Sequence, residues 1–387
     1  MPDQRPGPSP YGAALRLLME PAPNTAVTAV AKPPTATAPA RATRPDTRRA
    51  PAETMLKVEN LSISFRTDEG LITPVQGVGF EVQAGRTLGL VGESGSGKSV
   101  TTKALMKLLP GNAAIAPETR MHYTTKAGAE VRIDTLKPGS RAARQLRGGE
   151  IGMIFQEPMA SFSPVYTIGN QMMEAIRLHK AVGRKDARAI AIEMLDRVGI
   201  SNPSGRIDQY PHDLSGGMRQ RAMIALALSA GPRLLIADEP TTALDVTIQA
   251  QVLELMRELQ RDLGMGMIFI THDLGVIAQI ADEIAVMYLG TIVERGPTRE
   301  VIRDPKHPYT QGLLRAIPSL DHLQDRLTPV PGDIPSPTER PKGCPFHTRC
   351  AQALVGTCDR KPPEEVFPSR GHGVRCWLHD GNGRSVA

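Results

Sequence analysis

From Leu56 to Phe65 apolar and polar residues alternate, the period of a half-buried strand. Phe80 to Val82 is a second strand candidate. Thr87 to Val91 (TLGLV) has no polar face and predicts a short strand buried on both sides. Glycines follow, and from about Lys98 to Leu109 the period changes to that of a helix. Strand, Gly-rich turn and helix open a parallel α/β unit. Residues 111–150, rich in Gly, Arg and Thr, read as a surface excursion. IGMIF (151–155) predicts a strand, and 157–230 is mostly helical, ending in the small apolar run 222–230. LLIAD (234–238) is another buried strand. Over 247–263, Ile248, Val252, Leu255, Met256, Leu259 and Leu263 share one face of an amphipathic helix. MIFIT (267–271) and EIAVMYLG (283–290) complete the strands. No internal repeat is visible.

The two ends differ from this middle. Residues 1–54 hold eleven Pro and twelve Ala without apolar periodicity, too little burial to offset chain entropy, and predict a disordered tail. From about Thr298 the chain is Pro-rich again. At 387 residues and 40% hydrophobic, the chain is long and apolar enough for two or three folded units. No stretch reaches 18 apolar residues, so no membrane-spanning helix is expected, and no secretory signal is visible. Aromatics at 4% argue against a carbohydrate-stacking module. A net charge of +6 is too mild to imply nucleic acid. Four cysteines in the whole chain fit a reducing compartment.

The middle carries the chemistry. GESGSGKS (Gly92, Glu93, Ser94, Gly95, Ser96, Gly97, Lys98, Ser99) sits between strand and helix, with Val100 continuing the helix. Its glycines let backbone amides turn inward as an anion nest at a helix start. Lys98 would reach β- and γ-phosphates, and Ser99 would ligate Mg²⁺. LLIADEP ends a strand on Asp238, a second Mg²⁺ ligand, and Glu239, placed as the general base for water. In LSGGM (214–218), Ser215, Gly216 and Gly217 precede a helix and form a second anion-binding turn. Two such turns suggest ATP held between two chains.

These motifs, with Gln156, TALD (242–245) and THD (271–273), resemble in order and spacing those of ABC-transporter ATPases over roughly residues 55–297. The resemblance implies a P-loop α/β core with an inserted α-helical subdomain at about 157–230. It implies that Phe65 stacks on adenine and that Gln156 senses Mg²⁺ or water and couples to the membrane subunit. It further implies that Asp245 lies across a dimer seam and that His272 contacts the γ-phosphate. QEPMASFSPVYTIGNQ (156–171), YPHDLSGGMRQR (210–221) and HPYTQGLLRAIP (307–318) are similar to the oligopeptide/dipeptide sub-family, whose members serve peptides, nickel complexes and some oligosaccharides. Met218 replaces the Gln general to ABC signatures, and Ser163 stands where Asn is common. The family implies two membrane permeases, a second and different ATPase chain, an extracytoplasmic substrate-binding protein, and residence on the cytoplasmic face of the inner membrane. The alternatives are a soluble ABC ATPase acting on nucleic acid or ribosomes, or a metal- or redox-sensing ATPase.

Cys344, Cys350, Cys358 and Cys376 all fall in the C-terminal extension, 298–387, within 33 residues of one another. Their spacing has neither the close pairs of zinc sites nor the ferredoxin run. Four thiolates without a close pair suit a bulky [4Fe–4S] cluster held by loops, with zinc or free thiols as alternatives. His347, His372 and His379 are nearby ligand candidates, read first as surface histidines. Because every phosphate-binding candidate lies before residue 273, hydrolysis is expected to survive replacement of these cysteines better than assembly of the complex does.

Overall fold

The computed structural model describes residues 53–68, 70–156, 161–242, 244–316 and 330–379. The tail expected at 1–54 therefore lies outside them, save for Glu53 and Thr54.

Two sheets form the body. The first is antiparallel and joins β1 (Thr54–Thr67), β2 (Gly70–Gln83), β4 (Ala113–Ile115), β5 (Arg120–Thr124) and β6 (Glu130–Arg132). The second runs β12-β13-β11-β10-β3-β9-β8-β7. Its members are β3 (Thr87–Val91), β7 (Ile151–Ile154), β8 (Leu234–Asp238), β9 (Gly266–Thr271), β10 (Glu283–Tyr288), β11 (Thr291–Pro297), β12 (Val366–Ser369) and β13 (His372–Val374). From β10 to β7 its neighbours are parallel; from β11 outward they are antiparallel.

The central strands are apolar at every position because both of their faces are covered. Leu234, Ile236, Ile268 and Ile270 point to the layer shared with the antiparallel sheet, where Leu56, Ile63, Met121 and Tyr123 meet them. Leu235, Ala237, Met267 and Phe269 point to the opposite, helical layer. Each such residue removed from water contributes about 1.5–3 kcal/mol, so the alternation holds three layers together.

Six helices position the site and its surroundings. They are α1 (Lys98–Leu105), α2 (Ile168–His179), α3 (Arg184–Arg197), α4 (Gly216–Ser229), α5 (Val246–Leu263) and α6 (Pro308–Arg315). Helices α2, α3 and α4 pack on one another as the expected helical subdomain. Ala187, Ala191, Ala222 and Ala225 are fully buried there, small side chains that let helix axes approach.

Three expectations change. The supposed excursion at 111–150 holds β4, β5 and β6, with Met121, Tyr123 and Ile133 fully buried. A short alternation among polar residues is enough, since its partner strand β1 supplies the ladder. The second strand begins at Gly70, ten residues before Phe80; Pro74, Gly77 and Gly79 mask it in sequence. Helix α1 stops at Leu105 instead of Leu109, and Lys107 takes φ 52°, a left-handed turn that no helix continues through.

The C-terminal extension also does more than loop. Strand β13 pairs with β11 at Glu294↔Val374 and Arg295↔Gly373, so residues 366–374 extend the main sheet.

Candidate functional site

The loop after β3 is shaped by its glycines. Gly92 sits at φ 158°, and a Cβ there would lie 2.2 Å from the Met287 carbonyl oxygen. Gly97 sits at φ 97°, with the Pro74 carbonyl oxygen 2.7 Å from the same imagined atom. Only glycine fits either place.

Lys98 is 6% exposed. Its Nζ donates to the Gly92 oxygen (2.7 Å), the Glu93 oxygen (3.0 Å) and Ser96 Oγ (3.3 Å), all within its own loop. Burial lowers its pKa, against the pull of Glu239, Asp238 and Glu93. The ammonium therefore stands in a pocket lined by carboxylates and carbonyls, poised to exchange neutral acceptors for anionic ones.

Asp238 ends β8 beside that lysine. Burial raises its pKa, a hydrogen bond from Ser99 lowers it, and the neighbouring Glu239 raises it again. One of its oxygens, Oδ1, is buried without a hydrogen-bond partner among the described residues. A buried, unpartnered carboxylate oxygen next to a serine hydroxyl is a donor set that fits Mg²⁺, a hard cation that takes oxygen ligands.

Glu239 is the hub. Its Oε2 accepts from Gln156 Nε2 (3.2 Å) and Thr242 Oγ1 (2.9 Å), and His272 Nδ1 lies 3.4 Å from Oε1. Its backbone takes φ 46°, a left-handed conformation uncommon for a non-glycine residue and held by its amide bond to the Ile270 carbonyl (3.0 Å). Three residues expected to be catalytic, 83 and 33 positions from one another through Glu239, thus meet on one carboxylate. Thr242 stands in the sequence only as part of the TALD motif, and its hydroxyl contact has no signal of its own there.

Ser215 caps α4, accepting from the Met218 amide at 3.4 Å, and Asp245 caps α5, accepting from the Ile248 amide at 2.9 Å. The two helix starts are neighbours: an imagined Cβ on Gly217 lies 3.6 Å from Ile248 Cγ2. Gln220 donates to the Pro240 carbonyl and ties α4 to the segment after Glu239. Phe65 is half-buried on β1, paired with Ile72 and Ala113, and packs at the edge of the core. Val100 packs against the same core cluster.

Comparison with known proteins decides the family. Residues 75–242 match the family model described as ABC transporter, and residues 293–358 match the oligopeptide/dipeptide transporter C-terminal region. The dipeptide transport ATP-binding protein DppD of Bacillus subtilis (strain 168) is 47% identical over 328 residues, 85% of this chain and 96% of that protein. The chain belongs to the ABC-transporter ATP-binding proteins of the oligopeptide/dipeptide type. A putative peptide import ATP-binding protein of Brucella melitensis biotype 1 is 48% identical over 330 residues, 84% of this chain and 97% of its own. Among solved structures, the dimeric bacterial ABC transporter cassette MJ0796 aligns with TM-score 0.55 and 24% identity over 63% of this chain and 99% of its own. CbiO1 from Clostridium perfringens, part of a cbiONQ transporter complex, aligns with TM-score 0.54 and 25% identity over 65% of this chain and 91% of its own. Membership supports an ATPase coupled to import.

The cysteines do not follow the same course. All four are free thiols. Burial pushes Cys344 up to about 11 and Cys376 up to about 12, and raises Cys350. Cys358 Sγ accepts from the Leu354 amide at 3.3 Å. Among the described residues no group of three or more His, Cys, Asp or Glu is placed to hold a metal ion, so the expected iron–sulfur or zinc site is not supported. The thiols do lie near enough that Cys344, Cys350 and Cys358 each raise Cys376 further, beside the apolar cluster that holds Phe346, Leu354 and Trp377. The histidines are engaged too. His372, expected at the surface, is 1% exposed and bonded to Glu294 at 2.7 Å. His347 Nδ1 lies 2.8 Å from the Cys344 carbonyl, and His379 Nε2 lies 2.9 Å from the Lys306 carbonyl.

Proposed function

We propose that this chain binds and hydrolyses ATP to drive import of peptides through a membrane transporter. The observation that carries the reading is the convergence of Gln156, Thr242 and His272 on Glu239, next to Asp238 and Lys98. The relatives' names, dipeptide transport and peptide import, support the solute class.

In this reading the loop amides of Gly95 to Ser99 receive the β- and γ-phosphates. Lys98 gives up its carbonyl partners and places its charge on the same oxygens. Asp238 and Ser99 hold Mg²⁺, which neutralises phosphate charge when bound. Glu239 accepts a proton from the attacking water. Gln156 and His272, already on the same carboxylate, orient that water and contact the γ-phosphate. Phe65 offers the adenine a half-buried face.

Ser215 and Asp245 at the helix caps, with Gly216 and Gly217 in the first turn, face the nucleotide of a second ATPase chain, expected to differ from this one. Two permeases dock by the helical subdomain after Gln156; residues 157–160 of that expected surface, like Ala243 of TALD, lie outside the described residues. A substrate-binding protein delivers solute from the far side, and no role for nucleic acid is invoked. No helix among the described residues is long and apolar enough to cross a membrane. In this reading the chain is a peripheral subunit on the cytoplasmic face of the membrane.

The test is Glu239→Gln in the assembled transporter. Keeping shape but losing the base, it is expected to retain ATP binding while turnover falls by about 10²–10⁴. Unchanged turnover would move the base elsewhere. Uptake of labelled di- and oligopeptides should stop in step with hydrolysis.

A further inference from the structure

The phosphate-binding loop is gripped from outside the cassette. Arg349, in the C-terminal extension, forms a two-pronged ion pair with Glu93: Nη1 to Oε2 at 2.7 Å and Nη2 to Oε1 at 3.1 Å. Glu93 is the second residue of the loop, 256 positions away. Its amide N–H is held as well, donating to Tyr309 Oη at 2.9 Å, from α6. Side chain and backbone of one loop residue are therefore both fixed by segments that come after the catalytic motifs in the chain.

The anchor itself is firmly seated. The Arg349 side chain is 4% exposed. It donates through Nε to the Pro331 carbonyl (2.9 Å) and through Nη2 to the Val330 carbonyl (3.1 Å). Its guanidinium lies 5.7 Å from the Tyr288 ring centre and 6.0 Å from that of Phe346. Tyr288, Tyr309 and Phe346 pack ring against ring, with centres 4.8–5.3 Å apart. Tyr288 ends β10, the strand beside β3, so the clamp is built on the sheet that carries the loop.

A loop whose amides must converge on phosphate loses affinity if it can adopt other shapes before binding. We propose that Arg349 and Tyr309 are positioning residues that hold the loop at Glu93 in its nucleotide-receiving shape, so that the C-terminal extension sets the affinity for ATP. Neither touches the reacting atoms; both act through Glu93. The proposal rests on the nucleotide site around Lys98 and Asp238.

The test compares ATP dependence of hydrolysis in the assembled transporter. Arg349→Met is expected to raise the KM for ATP by about 10-fold or more with kcat changed far less, the mark of lost ground-state and transition-state binding alike. Tyr309→Phe removes one neutral acceptor and is expected to raise KM by about 5-fold, one net hydrogen bond. Arg349→Lys keeps charge without the fork and should fall between wild type and Arg349→Met. A fluorescent ATP analogue titrated into the full-length chain should show the same order of affinities. Should Arg349→Met fail to fold, Tyr309→Phe and Arg349→Lys carry the test. Wild-type KM in both of these overturns the clamp, as does a lowered melting temperature with unchanged KM in Arg349→Met. Lys98→Ala separates the two layers: ATP binding surviving that change would remove the site itself, whereas wild-type KM in the clamp variants removes only the clamp.

Discussion

Two clusters of buried charge handle their partners in opposite ways. In the proposed phosphate site, Asp238 keeps one oxygen without a partner among the described residues and Lys98 is satisfied by neutral carbonyls and one hydroxyl of its own loop. In the C-terminal latch, Glu294 is saturated. It accepts from the Lys306 amide (2.6 Å), the His307 amide (3.0 Å) and His372 Nε2 (2.7 Å), and both its side chain and that of His372 are almost fully buried. A saturated buried charge has nothing left to offer a ligand, and its partners specify how two segments dock. An unsaturated one costs stability and is retained where something else is to bind. The same residue types thus mark a fastening in one place and a reaction site in the other.

The comparison is broken most directly at the latch. Glu294→Ala leaves two amides and an imidazole buried without their acceptor. It is expected to cost about 3–5 kcal/mol, as when one partner of a buried pair is removed. For a chain of this size that lowers the melting temperature by roughly 4–6 °C, read by calorimetry. A loss below about 1 kcal/mol would mean that water replaces the carboxylate and that the latch is not saturated in solution.

Asp238→Asn should act with the opposite sign on stability. The pKa of Asp238 is raised in the folded state by burial, then by Glu239. An acid with a raised folded pKa stabilises the fold only while protonated, and that stability is lost as pH rises through the folded value. The ionised form is therefore a burden on the fold, which a neutral amide removes. The variant is expected to melt roughly 2–4 °C higher without nucleotide, while turnover with Mg·ATP falls about 10²–10³-fold. Lower stability together with lost turnover would place Asp238 among the structural residues instead.

The legibility of these two clusters in sequence differs for a physical reason. The loop from Gly92 to Ser99, the strand ending at Asp238 and the helix starts at Ser215 and Asp245 are local devices, each specified within about ten residues. Their chemistry can be read because backbone shape and side-chain type coincide. The meeting of Gln156 and His272 on Glu239 is reachable only through the family resemblance, since it depends on strand order in the sheet. The latch and the clamp are not legible at all. Arg349 and Glu93 lie 256 positions apart, and nothing near either residue marks its partner. Residues 111–150 pass for a surface excursion because their buried positions, Met121, Tyr123 and Ile133, are few and set among polar residues.

The smallest effect sharpens the comparison through pH. His307 is buried at the start of α6, with its pKa down to about 4 by burial, Glu294 opposing and His379 assisting. Its Nδ1 accepts from the Tyr309 amide at 3.0 Å, which requires that nitrogen to be unprotonated. With a depressed folded pKa, the unfolded chain binds the extra proton first, so stability falls as pH drops from 6.5 toward about 4. At pH 5.5 the loss is about 1.4 kcal/mol. His307→Asn keeps a cap acceptor and removes the titration, so melting temperature against pH should flatten over this window. An unchanged profile would assign the acid sensitivity to other groups.

The pairing of β13 with β11 has a consequence for synthesis on the ribosome. When β11 has emerged, its outer edge has no neighbour until residues 372–374 are made, roughly 75 residues later. At about 5–20 residues per second, the interval lasts on the order of 4–15 s. During it, a strand with unpaired edge amides and carbonyls is open to other nascent chains on the same message, the geometry that favours intermolecular pairing. Residues 366–374, translated after the catalytic motifs, are therefore the part that covers the edge of β11 against its neighbours in the polysome.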